Sequence, residues 1–237
     1  MGLLFPEMTE PQQGFAFPRS LAEKYLPVHV ADFVGLAEAK RFLLALAKRP
    51  RPIALVFHGD PGRGKTAMSF ALANDLGASV RYIGAQRFTT DELDRTWEAV
   101  NYYPPKGKFW EVICDEADEA TERAQLQWLS KGDIAANLRP VMGGAVEPGV
   151  PLPVIWVFTC NSTARFEKRF LSRCTVLNFS MYGAAGEIAE YLETIWVRET
   201  FNLDPAPARP NFARIVKESA SNVRDCLIQL DRLILEG

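Results

Sequence analysis

The stretch Gly59-Asp60-Pro61-Gly62-Arg63-Gly64-Lys65-Thr66 decides how the rest of this chain is read. A glycine, four residues and then Gly-Lys-Thr is the spacing of a loop that cradles phosphate. Glycines let backbone N–H groups converge on phosphate oxygens where a side chain would block the approach. The flanks agree with this reading. Ile53 to Phe57 (IALVF) is a short apolar run, as a strand buried on both faces requires. Helical pattern follows from Lys65 to about Asp75 and closes at Gly77, so a helix N-terminus adds its dipole to the loop. Lys65 is placed to reach β- and γ-phosphates, and the Thr66 hydroxyl to bind Mg²⁺. The competing reading is a chance Gly-rich turn, which the strand before and the helix after argue against.

Strand and helix patterns alternate on both sides of this loop. Ser79–Ile83, Phe109–Cys114, Val154–Thr159 and Thr175–Phe179 read as strands. Helical pattern covers Gly35–Lys48, Thr90–Tyr102 with Thr89 or Thr90 at its cap, Thr121 to about Leu138 with a break expected at Gly132, and Arg165–Ser172. Five strands separated by helices imply a parallel sheet covered on both faces. After Met181 the pattern is helical only: Ala184–Thr200, Asn211–Ala220 and Ser221–Leu235, with a proline-rich link at 204–210. The expected organisation is an irregular arm over 1–19, an α/β core over 20–180 and a small all-helical domain over 181–237. Residues 140–153 are rich in Gly and Pro and read as a loop, either a surface insertion or a partner-facing segment.

The second chemical signal is the strand Phe109–Cys114 ending in Asp115-Glu116. An acid at the tip of a strand near the phosphate loop lies close to its Mg²⁺. Asp115 would hold the metal, directly or through water, and Glu116 would orient and polarise an attacking water. Asp118 and Glu119 read as solvated charges favouring a helix start.

Composition closes off other classes. The chain has 237 residues, 27 Lys plus Arg against 29 Asp plus Glu, and a net charge of −2, so any nucleic-acid surface must be a local patch. No apolar run suits a membrane span, and Met1–Arg19 lacks the order of a secretory signal. Cys114, Cys160, Cys174 and Cys226 form no CxxC pair and read as buried small hydrophobes of a cytoplasmic protein. His29 and His58 are too few for a His-based metal site.

Together, GDPGRGKT and Asp115-Glu116-Ala117-Asp118 resemble the AAA+ ATPases, and further residues resemble the clamp-loader group, especially the small subunits of replication factor C. Glu23-Lys24-Tyr25-Leu26-Pro27 and Ala31-Asp32-Phe33-Val34-Gly35 are similar to that family's adenine-side segment. Ser172-Arg173-Cys174 resembles its SRC motif, Asn161 falls at the sensor-1 position, and Asn222-Val223-Arg224 at the sensor-2 position. The resemblance covers about residues 20–235. It implies ATP as substrate, Mg²⁺ as cofactor, and an oligomer of AAA+ subunits acting on a sliding clamp and primer–template DNA. Val34, Gly35, the segment Gly59, Asp60, Pro61, Gly62, Arg63, Gly64, Lys65, Thr66 and Ala67, and Arg224 would bind nucleotide. Thr66 and Asp115 would hold the metal, and Glu116, Asn161 and a neighbouring subunit's Arg173 would act in hydrolysis.

Each of the later residues has a plainer reading. Arg173 sits among Arg165, Lys168 and Arg169 and fits a surface arginine on a basic helix; Asn161 fits a strand-end turn. Arg224 is a cation in a helix's first turn, explained by a docked anion or by a salt bridge to Asp225. Basic residues at Arg123, Lys131 and Arg139 fit phosphate contact or ordinary solvated charge. The chain also departs from the family: Leu26 replaces an arginine, Gln86 is the nearest candidate for the polar residue after the second strand, and Gly237 ends the chain where a helical collar follows in the family. Two other readings remain: a nucleotide-gated assembly or adaptor protein of a phage or mobile element, or a remodeller of protein substrates, for which the chain offers no clear aromatic pore loop although Tyr102 and Tyr103 lie in a roughly suitable region.

Overall fold

The computed structural model describes residues 19–84, 87–136, 139–140, 146–147, 153–205 and 207–236. The expected arm over 1–18, Gln86 and most of the 140–153 loop lie outside them. Five strands form one sheet: β1 (Ile53–His58), β2 (Ser79–Ile83), β3 (Trp110–Cys114), β6 (Val154–Cys160) and β7 (Thr175–Asn178). The order is β2-β3-β6-β1-β7 and every pairing is parallel. All five carboxyl ends therefore share one edge, and the tips of β3, β6 and β1 are neighbours there. β4 (Arg139–Pro140) and β5 (Val146–Glu147) are a separate antiparallel pair, so the segment expected as loop contains a short hairpin pairing.

Each sheet face carries its own core. Leu55, Phe57, Ile155 and Val157 face α2 (Ala37–Lys48) and α3 (Lys65–Leu76) through Leu43, Met68 and Leu72. Val56, Val112, Trp156 and Phe158 face the other way, onto α4 (Thr90–Val100) and α5 (Glu122–Ala136). That second layer is aromatic: Trp97 lies 5.1 Å from Trp156 and Trp128 meets Phe158 edge-on at 5.2 Å between ring centroids. Both faces of each central strand are apolar, which is why IALVF carries no alternation. Glu111 breaks the pattern inside β3: its carboxyl is fully buried, and neither oxygen has a hydrogen-bond partner among the described residues.

Local chemistry sets the helix ends. Thr89 is the cap of α4, its Oγ1 accepting from Glu92 N. Gly77 (φ 59°) ends α3 in the left-handed region, and Ala78 N returns to Ala73 O at 2.9 Å. α5 runs through Gly132 without the expected break. The helix expected over Arg165–Ser172 is instead a 3₁₀ turn (Thr163–Arg165) and a four-residue helix, α6 (Lys168–Leu171). Phe166 and Glu167 between them are extended, because Phe166 is drawn into the core against Phe170 and buried Gln125 bonds both Arg165 O and Glu167 N. α1 (Leu21–Lys24) and a 3₁₀ turn (Val30–Asp32) precede α2; the periodicity did not announce either.

α7 (Ala185–Thr200), α8 (Phe212–Glu218) and α9 (Val223–Glu236) pack through Ile188, Leu192, Ile195, Ile215, Val216 and Leu230, and their core is continuous with that of α2 and α3. α9 starts two residues later than expected. Ala220 (φ 47°) and Ser221 (φ 59°) are left-handed, and Asn222 Oδ1 caps the helix by accepting from Arg224 N at 3.1 Å. Cys114, Cys160 and Cys226 are buried free thiols. No helix among the described residues is long and apolar enough to cross a membrane.

Candidate active site

The loop after β1 wraps the start of α3. Gly62 (φ 75°) and Gly64 (φ 80°) supply left-handed backbone. Their missing side chains also admit neighbours: a Cβ on Gly62 would stand 2.3 Å from the Asn222 amide, and one on Gly64 3.1 Å from the Phe33 ring. α3 has neither a side-chain cap nor an acid in its first turn. Its N-terminal amides are thus left for an external anion.

Lys65 is buried at this N-terminus, 8% exposed. Its Nζ donates to Gly59 O at 2.6 Å, Asp60 O at 2.9 Å and Asn161 Oδ1 at 2.9 Å. Burial lowers its pKa, while nearby Cys160, Asp118, Asp115 and Asp60 pull the other way. An uncapped helix start beside a buried ammonium is the donor set a phosphate chain fits.

The acids gather beside it. Asp115 Oδ1 accepts from Thr66 Oγ1 at 2.7 Å and from Thr159 Oγ1 at 2.6 Å, and Oδ2 accepts from Tyr82 OH at 2.9 Å. Burial, with the bond to Asp115 second, pushes the Tyr82 phenol up to about 12. Among the described residues no cluster of three His, Cys, Asp or Glu side chains could hold a metal alone. The Thr66 hydroxyl and the Asp115 carboxylate are hard oxygen donors, which suits Mg²⁺, an ion that takes few protein ligands and completes its shell with water and phosphate. Glu116 follows in a left-handed conformation (φ 50°), its side chain exposed and its N–H donating to Thr159 Oγ1 at 3.0 Å.

Asp118 corrects the sequence reading. It is 7% exposed rather than solvated, and its Oδ2 accepts from the N–H groups of Asn161 at 3.1 Å and Ser162 at 3.2 Å. It ties the tip of β6 to the tip of β3, which puts the Asn161 amide against Lys65. Glu119 is the solvated member, in an exposed ion pair with Arg165 at 2.7 Å. Sequence reasoning also missed Thr159 and Tyr82. Thr159 had a signal: it is the one polar side chain in the strand Val154–Cys160.

A cleft opens on the other side of the loop. Tyr25, Leu26, Val34, Gly62, Arg63, Gly64, Ala67, Tyr191, Val223 and Arg224 line it. Gly35 N donates to Glu187 Oε2 at 3.1 Å and a Cβ there would meet Ala184 at 2.9 Å, so Val34 and Gly35 are held against α7. Lys24 pairs with Glu199 at 2.7 Å, and the Tyr25 hydroxyl donates to the same carboxylate. Among the described residues Arg224 makes no ion pair, with Asp225 or any other acid; it is exposed at the mouth of the cleft.

Arg173 stands apart. It is exposed, with Nη1 near Arg169 O (3.2 Å) and Ser172 Oγ (3.3 Å). It precedes the first residue of β7, at the sheet edge opposite the loop at the end of β1. The structure thus brings Lys65, Thr66, Asp115, Glu116 and Asn161 together, places Val34 and Arg224 on the adjoining cleft with Gly35 behind Val34 and bonded to Glu187, and leaves Arg173 outside both.

Residues 55–181 match the family described as the ATPase family associated with various cellular activities (AAA). Replication factor C subunit 2 of Arabidopsis thaliana is 27% identical over 176 residues, 70% of this chain and 48% of that protein. Replication factor C small subunit 1 of Pyrobaculum islandicum is 30% identical over 174 residues, 67% of this chain and 46% of that one. The chain spans about half the length of the curated relatives it matches. Among solved structures, the Thermotoga maritima RuvB Holliday junction branch migration motor superposes with a TM-score of 0.64 over 88% of this chain and 65% of that one, at 16% identity, a likeness of fold. The family match takes in more than half of the chain, and the chain belongs to the AAA family of ATPases, with replication factor C subunits among its relatives.

Proposed function

We propose that the chain is a Mg²⁺-dependent, ATP-hydrolysing, clamp-loader-like subunit that works within an oligomer of AAA+ chains. The observation that carries this reading is the meeting of Lys65 with Asn161 and of Thr66 with Asp115 across adjacent strand tips. Bound Mg²⁺ supplies neutralisation of the charge on the β- and γ-phosphate oxygens. Thr66 and Asp115 would hold it. Lys65 presents a cation to the phosphates from a buried position, where its charge acts with little screening. Glu116 orients and polarises water in line with the γ-phosphate, and Asn161 offers its amide beside it. The adenine side is formed by Val34 and the apolar wall of Tyr25, Tyr191 and Val223, with Gly35 following Val34.

The helices of 181–237 act as a lid on the core of 20–180, with Arg224 reaching toward the phosphates from the lid. Arg173, exposed and remote from its own loop, serves a neighbouring subunit's site. The partners in this reading are a sliding clamp and primer–template DNA, supported by the replication factor C relatives. Tyr102 and Tyr103 are 76% and 91% exposed, before β3 and so at the sheet end away from the nucleotide cleft. A water-exposed aromatic pair there fits a docking surface for a folded partner better than a pore loop.

The test is phosphate release by the full chain with its partner subunits, with and without primed DNA and a clamp. Stimulation by primed DNA plus clamp is expected, and Lys65→Ala should abolish nucleotide binding or turnover. Turnover by Lys65→Ala at the wild-type rate would remove the phosphate-loop assignment; no response to any DNA would remove the clamp-loader one and favour a nucleotide-gated assembly protein.

A further inference from the structure

We infer that Arg63, inside the phosphate loop, is a positioning residue that pins the turn between α8 and α9 to that loop and so sets where Arg224 stands. The side chain of Arg63 is 13% exposed. Its Nη1 donates to Ser221 O at 2.8 Å and its Nη2 reaches Asp60 Oδ2 at 3.3 Å. Asp60 is largely exposed, so the bond to the Ser221 carbonyl is the better sheltered of the two. An always-charged guanidinium with committed donors on both sides is a structural fork.

The turn it grips is built to be gripped. Ser221 N returns to Val216 O at 2.9 Å and Asn222 N to Ser219 O at 2.8 Å, closing α8 in a tight hairpin of backbone. Ala220 and Ser221 are both left-handed without being glycine, a conformation that a side chain disfavours and that needs support from outside the turn. Directly beneath lies Gly62, with no room for even a methyl group under the Asn222 amide. Asn222 in turn caps α9 through Arg224 N, so whatever fixes Ser221 and Asn222 fixes the first turn carrying Arg224. Arg63 and Arg224 line the same cleft. The chain thus has a direct link, two residues long on each side, from the phosphate loop to the C-terminal helices. The inference rests on the proposed nucleotide reading only for what Arg224 does; the pin itself is a property of the protein without nucleotide.

Hydrogen exchange on the full chain without nucleotide tests the pin. In Arg63→Ala the amides of residues 220–224 should exchange roughly 10-fold faster than in wild type, the loss of one charge-assisted bond, while those of α3 stay unchanged. Arg63→Lys, which keeps a cation able to reach one carbonyl, should recover part of the protection. Equal exchange in wild type and Arg63→Ala, or acceleration spread evenly over α7, α8 and α9, would overturn the inference. For the link to Arg224, the KM for ATP should rise more in Arg63→Ala than kcat falls; an unchanged KM overturns that link. Lys65→Ala is the separating control: its exchange at 220–224 should match wild type, and should it also keep full turnover, the nucleotide reading fails while the pin stands.

Discussion

The hydroxyl of Thr159 donates to Asp115 Oδ1 at 2.6 Å, and this bond holds the carboxylate that faces Thr66. Thr159 also accepts from Glu116 N at 3.0 Å, so one side chain sets both acids at the tip of β3. Replacement by valine keeps the volume and removes both bonds. It leaves the Glu116 N–H short of an acceptor, a cost of about 1–3 kcal/mol, at a residue already in the left-handed region. Thr159→Val should therefore raise the Mg²⁺ concentration needed for half-maximal turnover and lower kcat, with ATP affinity much less affected. A Mg²⁺ titration of phosphate release measures this, and a curve superimposable on wild type would show that Asp115 does not depend on Thr159.

Glu116 invites a second substitution. Its carboxylate is exposed and, among the described residues, Glu116 is held through its backbone N–H, so the side chain can face a water at the γ-phosphate. Glu116→Gln keeps the size and removes the base. Nucleotide affinity should stay near wild type while turnover falls by about 10²–10⁴. Equilibrium binding of a fluorescent ATP analogue alongside single-turnover hydrolysis separates the two; parallel loss of both would mean Glu116 acts in binding instead.

Much of this was legible in the residues. The apolar run Ile53–Phe57, the glycine spacing after it and the acids after Cys114 located β1, the loop and the tip of β3, because a parallel sheet leaves little freedom in where strand ends go. What stayed hidden depends on long-range pairing. Asp118 looked solvated because nothing local says that the backbone of Asn161 and Ser162, more than forty residues on, comes to its Oδ2. Gln125 broke the helix expected over Arg165–Ser172 from a distance of forty residues for the same reason. Arg63 read as one of the loop's nucleotide-binding residues, and only the fold shows that its Nη1 leaves the loop for Ser221.

Glu111 gives a prediction about stability. Burial raises its pKa well above the ordinary 4.5, so between the two values the folded chain keeps a proton on this carboxyl that the unfolded chain releases. Above the ordinary value folding must then take up a proton, and stability falls as pH rises until the folded pKa is reached. The cost is thus present at neutral pH and absent in acid. Glu111→Leu removes it along with two unpartnered buried oxygens, and should raise the unfolding midpoint at pH 7–8 by more than at pH 5. Thermal unfolding of both chains across that range checks it; a lower midpoint for the variant at every pH would mean that the carboxyl is satisfied.

Arg173 decides whether the site is completed by a second chain. Its guanidinium is exposed, lies near Arg169 O and Ser172 Oγ, and stands before β7 at the sheet edge away from the loop of its own chain. Removing it should therefore leave ATP affinity intact, since no part of the cleft rests on it. Turnover in the oligomer should fall by on the order of 10³, the effect of losing an arginine that stabilises the transferring phosphoryl group. The discriminating experiment mixes two inactive chains. Arg173→Ala keeps an intact loop and Lys65→Ala keeps an intact arginine, so a mixed oligomer regains working sites only where the arginine of one chain meets the loop of the other. Phosphate release should rise on mixing and pass through a maximum as the ratio is varied. Absence of any recovery, with assembly of the mixed oligomer verified by mass, would assign Arg173 a role within its own chain.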